Sequence, residues 1–483
     1  MQKIICKSYA LAANLNLITC KTPVTDGDIT LRIGTPIGVT VPLITAYVFT
    51  TLPSSVLIAT IFGLQRRIGC SKTHSSVSNK IYDQWTTNCI SGTCFQGAEL
   101  APISGTYFPL WDIQNVYSSY HRNQYRPRAD EMCGANGSVI QWTGGQFEFP
   151  CPSTKSLFKS SGKYISKNVI ATRGQIIGDT VYLALPRYRH GVPATLVKAN
   201  LQPGICYVTF APYPCWNMQE EGNCKAMQSV VDVVVDQNEV IWLLDTGIVN
   251  TLERPVRKCS PKVWAVSSKS SKVLKMIDLD GLSTNTSRLQ YLAVDYAPTG
   301  GCFVYVSDAA NRAIITFNVQ VDRGFRAVLP RAVAAGGRNR DVLYLALIRH
   351  SCGTAELYFT YLSTNRMFSI KAEYLRTGVA DGRVLDVGKK SSRMVIIGTN
   401  NGNSIFFRNE GSAEVYRWDT NTTFKEDNFK PVYRSTTCQL ATHAISDYRH
   451  RTMRILQSNF PDFMQNRMGC GATQQLTVMQ GCW

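Results

Sequence analysis

Short apolar runs recur along the second part of this chain: VYLAL from Val181, IWLLD from Ile241, VYVSD from Val304, LYFTY from Leu357, IFFRN from Ile405 and MRILQ from Met453. Their starts are 60, 63, 53, 48 and 48 residues apart. Each interval has room for four short strands and their turns, which is one blade of a β-propeller. Companion strands follow, such as KVWAV from Lys262, KVLKMIDL from Lys272, RAIITFNV from Arg312, RMFSIKA from Arg366 and AEVYRW from Ala413. They alternate apolar with polar residues and are separated by Gly, Asn, Asp or Ser, the chemistry of tight hairpins.

Six repeats predict an all-β fold, a six-bladed β-propeller with four-stranded blades around a central channel. The segment QWTGGQFEFP, 141–150, precedes the first full repeat and is placed to add a strand to the last blade. The pattern divides the chain into a leader over 1–70, a loosely structured arm over 71–139, the propeller over 140–470 and a tail over 471–483. Reading the recurrent runs as inner strands puts Asp245 and Asp308, which close WLLD and YVSD, near the mouth of the channel.

Composition is that of a folded protein, with 44% hydrophobic and 17% charged residues. The leader carries no charge between Arg32 and Arg66, and its segment 36–63 is long enough to span a bilayer. It reads either as an anchor or as a secretory signal. Pro36, Pro42 and Pro53 would interrupt a spanning helix and favour the signal. Sixteen cysteines lack the paired spacing of zinc knuckles and accompany only six histidines, so disulfides are their expected use. Cys215, Cys224, Cys259, Cys302, Cys352, Cys438 and Cys470 fall in the propeller, and spacing does not give their connectivity. Sequons at Asn136, Asn285 and Asn421 fit the same oxidising, extracellular destination. The net charge of +18 implies polyanionic partners. Its Lys and Arg residues are dispersed and form no basic helix or stripe, which argues for acidic matrix, glycans or an anionic membrane face over nucleic acid.

Asp245-Thr246-Gly247 has the form of an aspartic protease loop, yet that chemistry needs two carboxylates sharing a proton. No second Asp-Thr-Gly or Asp-Ser-Gly occurs in the chain. Asp245 and Asp308 therefore either help line a ligand or metal site or accept backbone N–H groups at turns.

Several long stretches occur together and in order: VYLALPRYRHGVPATL from Val181, IWLLDTGIVNTLERPVRKCSPKVWAV, YLAVDYAPTGGCFVYVSDAANRAIITF, ELYFTYLSTNRMFSIKAEYLR and MVIIGTNNGNSIFFRNEGSAEVYRWDTNT. Over roughly 140–470 they resemble the insect Yellow and major royal jelly protein family. WTGGQFEFPCPSTKSLFKSSGKYISKNVIATR, from Trp142, is most similar to the Yellow-g type, associated with the eggshell. The resemblance implies a secreted six-bladed propeller with small-molecule sites in its channel. It also implies a role in vitelline membrane or chorion hardening, pigmentation or desiccation resistance. Eggshell or other matrix proteins, or another Yellow-family chain, are the implied partners, and no cofactor is implied. Some members bind biogenic amines and a few accelerate dopachrome conversion, but no agreed catalytic motif carries over.

A channel taking catecholamines or indoleamines needs an aromatic wall, a carboxylate for the ammonium and polar groups for the ring substituents. Asp245, Asp308, Thr399, Asn400, Phe406 and Trp418 are the candidates. Phe406 and Trp418 read equally as blade core, and Thr399 and Asn400 as part of an NNG hairpin. Dopachrome conversion would need a base, and His350 and His443 stand in the later repeats; a lone His on a strand is also an ordinary structural residue. Asp245 and Asp308 would supply part of a calcium-lactonase set, without clear Glu and Asn companions, and no metal is assigned.

Overall fold

The computed structural model describes residues 139–201, 208–338, 340–437 and 439–479, and, before them, short strands at Cys6–Leu11, Leu15–Cys20, Thr30–Leu31, Ile44–Thr45 and Leu57–Ile58. Cys6–Leu11 pairs antiparallel with Leu15–Cys20, which also pairs with Leu57–Ile58. Most of the leader, the arm and Asn136 lie outside the described residues. No helix among those described is long and apolar enough to cross a membrane.

Six four-stranded antiparallel sheets follow one another as six blades. We label their first strands β1 (Arg173–Ile177), β2 (Val230–Val235), β3 (Leu289–Tyr296), β4 (Leu343–Arg349), β5 (Met394–Thr399) and β6 (Leu440–Asp447). Each neighbours the next and β6 neighbours β1, so these six surround the axis. The recurrent runs are the second strands, one layer out, which corrects their reading as inner strands. They are buried along nearly their whole length, as in Cys302–Asp308 and Thr452–Ser458. A strand covered on both faces by neighbouring blades can be apolar throughout, and that is why these runs stand out in the sequence. Some of the fourth strands, such as Val273–Asp278 and Leu385–Lys389, are mostly exposed.

Val139–Thr143 closes the ring as the outermost strand of blade 6, pairing with Thr473–Met479 in the register Thr473↔Thr143 to Thr477↔Val139. The closing strand from the segment at 141 is therefore present. The boundary at 470 is corrected, because Thr473–Met479 is the third strand of this blade and part of the propeller.

Cys224 and Cys259 form a disulfide 35 residues apart in sequence, and Cys470 is also disulfide-bonded. Not every propeller cysteine is bridged: Cys302 is a buried thiol, and Cys215 and Cys352 are exposed thiols. Burial pushes the Cys302 thiol up to about 11. Cys438 lies outside the described residues.

Candidate functional site

The innermost strands of blades 2, 3, 5 and 6 are each broken by a register shift, between Val230 and Asp232, Leu289 and Leu292, Ile396 and Gly398, and Ala441 and His443. A bulge turns a side chain away from the regular alternation and bends the strand. The residues at or beside these shifts are among those that meet on the axis. At the shift in β5, a Cβ on Gly398 would stand 2.4 Å from the Ala444 carbonyl oxygen, and its φ is +155°. Only glycine lets β5 approach β6 so closely.

A cavity of about 90 Å³ lies between the six strands. Arg173, Asp232, Tyr291, Leu345, Ile396 and His443 line its deep part, and the strands then run towards Gln175, Arg349, Thr399 and Asn401. Asn401 is exposed, so the cavity reaches solvent at that end. The space is well below the roughly 300–1,000 Å³ of ordinary small-molecule pockets, so it suits one small group.

The Arg173 guanidinium is buried, 3.8 Å from Asp232 and with its carbon 4.6 Å from the centre of the Tyr291 ring. Asp232 accepts the N–H groups of Leu292 at 2.8 Å and Val233 at 3.0 Å, which ties blade 2 to blade 3. Burial nevertheless dominates and pushes the Asp232 carboxyl up to about 6, against the opposing pull of Arg173. The Gly174 N–H donates to His443 Nδ1 at 3.0 Å, tying blade 1 to blade 6. That bond fixes the tautomer with its proton on Nε2. Burial, with Arg173 nearby, pulls the His443 imidazole well below its usual value and keeps it neutral. The Tyr291 ring lies tilted by 45° at 5.1 Å from that of Tyr344 of blade 4, and burial raises both phenols. Arg173 also reaches the Ile397 carbonyl of blade 5 at 3.4 Å. Every blade thus contributes to one axial cluster.

Of the six sequence candidates, the cavity lining includes Thr399 alone. The Asn400 side chain accepts the N–H groups of Gly402 and Ser404 at 3.0 Å each and shapes the hairpin. Phe406 is fully buried in the core between blades 5 and 6. Trp418 packs edge-on against Tyr358 and Phe424. Asp245 accepts N–H bonds from Gln228, Ser229 and Gly247 at 2.8, 2.8 and 3.0 Å. Asp308 likewise takes the Ser287 hydroxyl at 2.6 Å, the Arg288 N–H at 3.1 Å and the Asn311 amide at 2.7 Å. Each carboxylate pins the loop that feeds the first strand of its own blade. Gly247 is fixed by the same turn, since its φ is +67° and a Cβ there would stand 2.2 Å from the Cys259 carbonyl oxygen. The Asp-Thr-Gly form is thereby explained as turn chemistry.

His443 lines the cavity, whereas His350 lies in a turn 3.4 Å from Glu356. No group of three or more His, Cys, Asp or Glu residues gathers as a metal site among the described residues. Sequence reasoning missed Arg173, Asp232 and Tyr291. One signal was present: Asp232 interrupts the otherwise apolar run VVDVVV. The sequons Asn285 and Asn421 lie in exposed turns.

A family model described as Major royal jelly protein matches residues 228–482. Protein yellow of Drosophila melanogaster is 24% identical over 255 residues, 49% of this chain and 47% of that protein, and Protein yellow of Drosophila simulans gives the same figures. The chain spans about half the length of these relatives. Among solved structures, a calcium-binding protein, regucalcin, from Agrobacterium tumefaciens aligns with a TM-score of 0.39 at 10% identity, over 64% of this chain and 90% of that one.

Proposed function

The chain belongs to the major royal jelly protein family, and from that premise we propose that it serves as a secreted, non-catalytic component of an insect eggshell or similar extracellular layer. There it would support vitelline membrane or chorion hardening, pigmentation or resistance to drying, alongside matrix proteins or a second Yellow-family chain. The stretch from Trp142 that resembles the Yellow-g type supports the eggshell assignment. The net charge of +18 supports adhesion to acidic components. The Cys224–Cys259 bridge and the exposed sequons fit an oxidising secretory route.

The observation that carries the non-catalytic reading is the bond from Gly174 N–H to His443 Nδ1. A general base needs a free lone pair within reach of the proton it removes. Nδ1 is the basic nitrogen of this tautomer, and it is already engaged in holding two blades together. A dopachrome-converting isomerase is the second reading, favoured by the position of His443 in the cavity wall beside Arg173. A biogenic-amine carrier is less favoured, because the carboxylate that would take an ammonium group has Arg173 3.8 Å away.

The test is to locate the protein in developing eggs and measure its extractability, while recording dopachrome decay and dopamine and serotonin calorimetry on the purified protein. Incorporation into an insoluble shell layer with no acceleration of decay is the expected result. Decay faster than a heat-inactivated control would overturn it in favour of the isomerase. A protein that stays soluble and binds amines would favour the carrier.

A further inference from the structure

Five ionisable side chains line the axial cavity: Arg173 from β1, Asp232 from β2, Tyr291 from β3, Arg349 from β4 and His443 from β6. Two are guanidinium groups and one is a carboxylate, so the lining is cationic even with Asp232 ionised. Arg349 is engaged near the open end, where it donates to the Val294 carbonyl at 2.6 Å. Arg173 is different. A guanidinium offers five N–H donors, and this one donates at 3.4 Å to the Ile397 carbonyl and is also hydrogen-bonded to the Tyr291 side chain. Its contact with Asp232 is also long, at 3.8 Å, and its face lies over Tyr291. Buried charges are ordinarily paired and hydrogen-bonded, because leaving donors unmet in a low-dielectric interior is costly. Here a buried cation with donors to spare faces a cavity that reaches solvent.

We propose that the axial cavity is a site for a small carboxylate, held by Arg173 against the Tyr291 ring, and that Asp232 gates it by competing for the same guanidinium. A planar carboxylate matches the fork of a guanidinium. The ionised Asp232 both neutralises Arg173 and repels an incoming anion; once protonated it does neither. The burial that raises the Asp232 carboxyl places this exchange near pH 6, so carboxylate affinity rises as pH falls through that point. The other groups facing Arg173 do not reverse the trend. Burial holds Tyr188, Tyr291 and Tyr344 in their neutral phenol form, and His443 stays neutral until well below its usual range. Arg408, from the second strand of blade 5, adds positive charge near Tyr291 and Tyr344. The inference concerns the cavity alone and is independent of incorporation into a shell, so failure of either leaves the other standing.

Trifluoroacetate is a suitable probe, because it stays ionised across the range and its fluorine resonance reports binding directly. Titration of the purified full-length protein should show saturable binding at pH 5.0, with affinity lower by roughly tenfold to thirtyfold at pH 7.5, as expected when only the Asp232-protonated fraction is competent. Asp232→Asn should bind at pH 7.5 as tightly as the unaltered protein does at pH 5.0, with the pH dependence removed. Arg173→Gln should lose binding, with its fold checked by circular dichroism. Absence of saturable binding at both pH values would overturn the proposal. So would a pH dependence that survives in Asp232→Asn, or displacement of the probe by dopamine with no dependence on Arg173.

Discussion

The second strands and the innermost strands of the six blades are neighbours in the same sheets, yet their sequences obey different rules. The second strands are sealed between adjacent blades and read as predominantly apolar runs. The innermost strands converge on the axis, and they carry bulges, a glycine and an Arg, Asp, Tyr and His among their apolar residues. The first set lies in the buried core, the second lines the axial cavity. Position along the sheet, one strand inward or outward, decides which.

If the second strands carry stability, the largest effect should come from emptying one. Phe359 is fully buried in the core of blades 3 and 4 and stacks at 6.1 Å on Phe368. Phe359→Ala should cost about 3–5 kcal/mol in urea unfolding; a loss below about 1 kcal/mol would mean the site refills. Next, replacing Cys224 and Cys259 together by Ser should cost roughly 3–4 kcal/mol from loop closure, read as a lower Tm under non-reducing conditions. Asp245→Ala should follow at about 2–3 kcal/mol, because it strands three backbone N–H groups. Its effect on carboxylate binding should be negligible, and a binding defect would contradict its assignment to the turn.

The smallest effect sharpens the axial side. Asp232 is raised in the folded protein to about 6, so the folded state holds a proton between pH 6 and the ordinary carboxyl value that the unfolded chain has released. Asp232 therefore contributes stability below its unfolded pKa and loses it as pH rises through 6. Asp232→Asn should flatten this decline by roughly 1–2 kcal/mol in urea unfolding compared at pH 4.5 and pH 7. His443 acts in the opposite sense. Its folded pKa is depressed, so its contribution is present above the imidazole's usual value and is lost as pH falls below it, where the unfolded chain takes up the proton first. His443→Gln should steepen the net decline between pH 4.5 and pH 7.

This contrast also explains what could be read from the chain. Blade number, strand count and the closing strand were legible, because VYLAL, IWLLD and their equivalents repeat at blade length and QWTGG precedes them. The repeats were then assigned one strand too far inward, since an apolar run says that a strand is covered and not by what. That displacement carried Asp245, Asp308 and Phe406 towards the axis, when each belongs to a second strand. Arg173 and Tyr291 stayed hidden because RGQII and LQYLAVDY have the mixed look of any half-buried strand. Their meeting depends on bulges and on chain segments far apart in sequence. Thr399 was found because it lies where the first strand of blade 5 meets its turn.

The pairing of Val139–Thr143 with Thr473–Met479 also sets an order of events. During synthesis the first of these strands emerges early and has no partner until nearly the whole propeller has been made. Its unpaired edge must be kept from other chains throughout that interval. Blades 1 to 5 can assemble in sequence as they emerge, each on contacts within its own stretch of chain. The last blade is joined from both ends of the propeller at once, so a chain cut short before residue 473 would be a curved stack with two open faces, sticky at both.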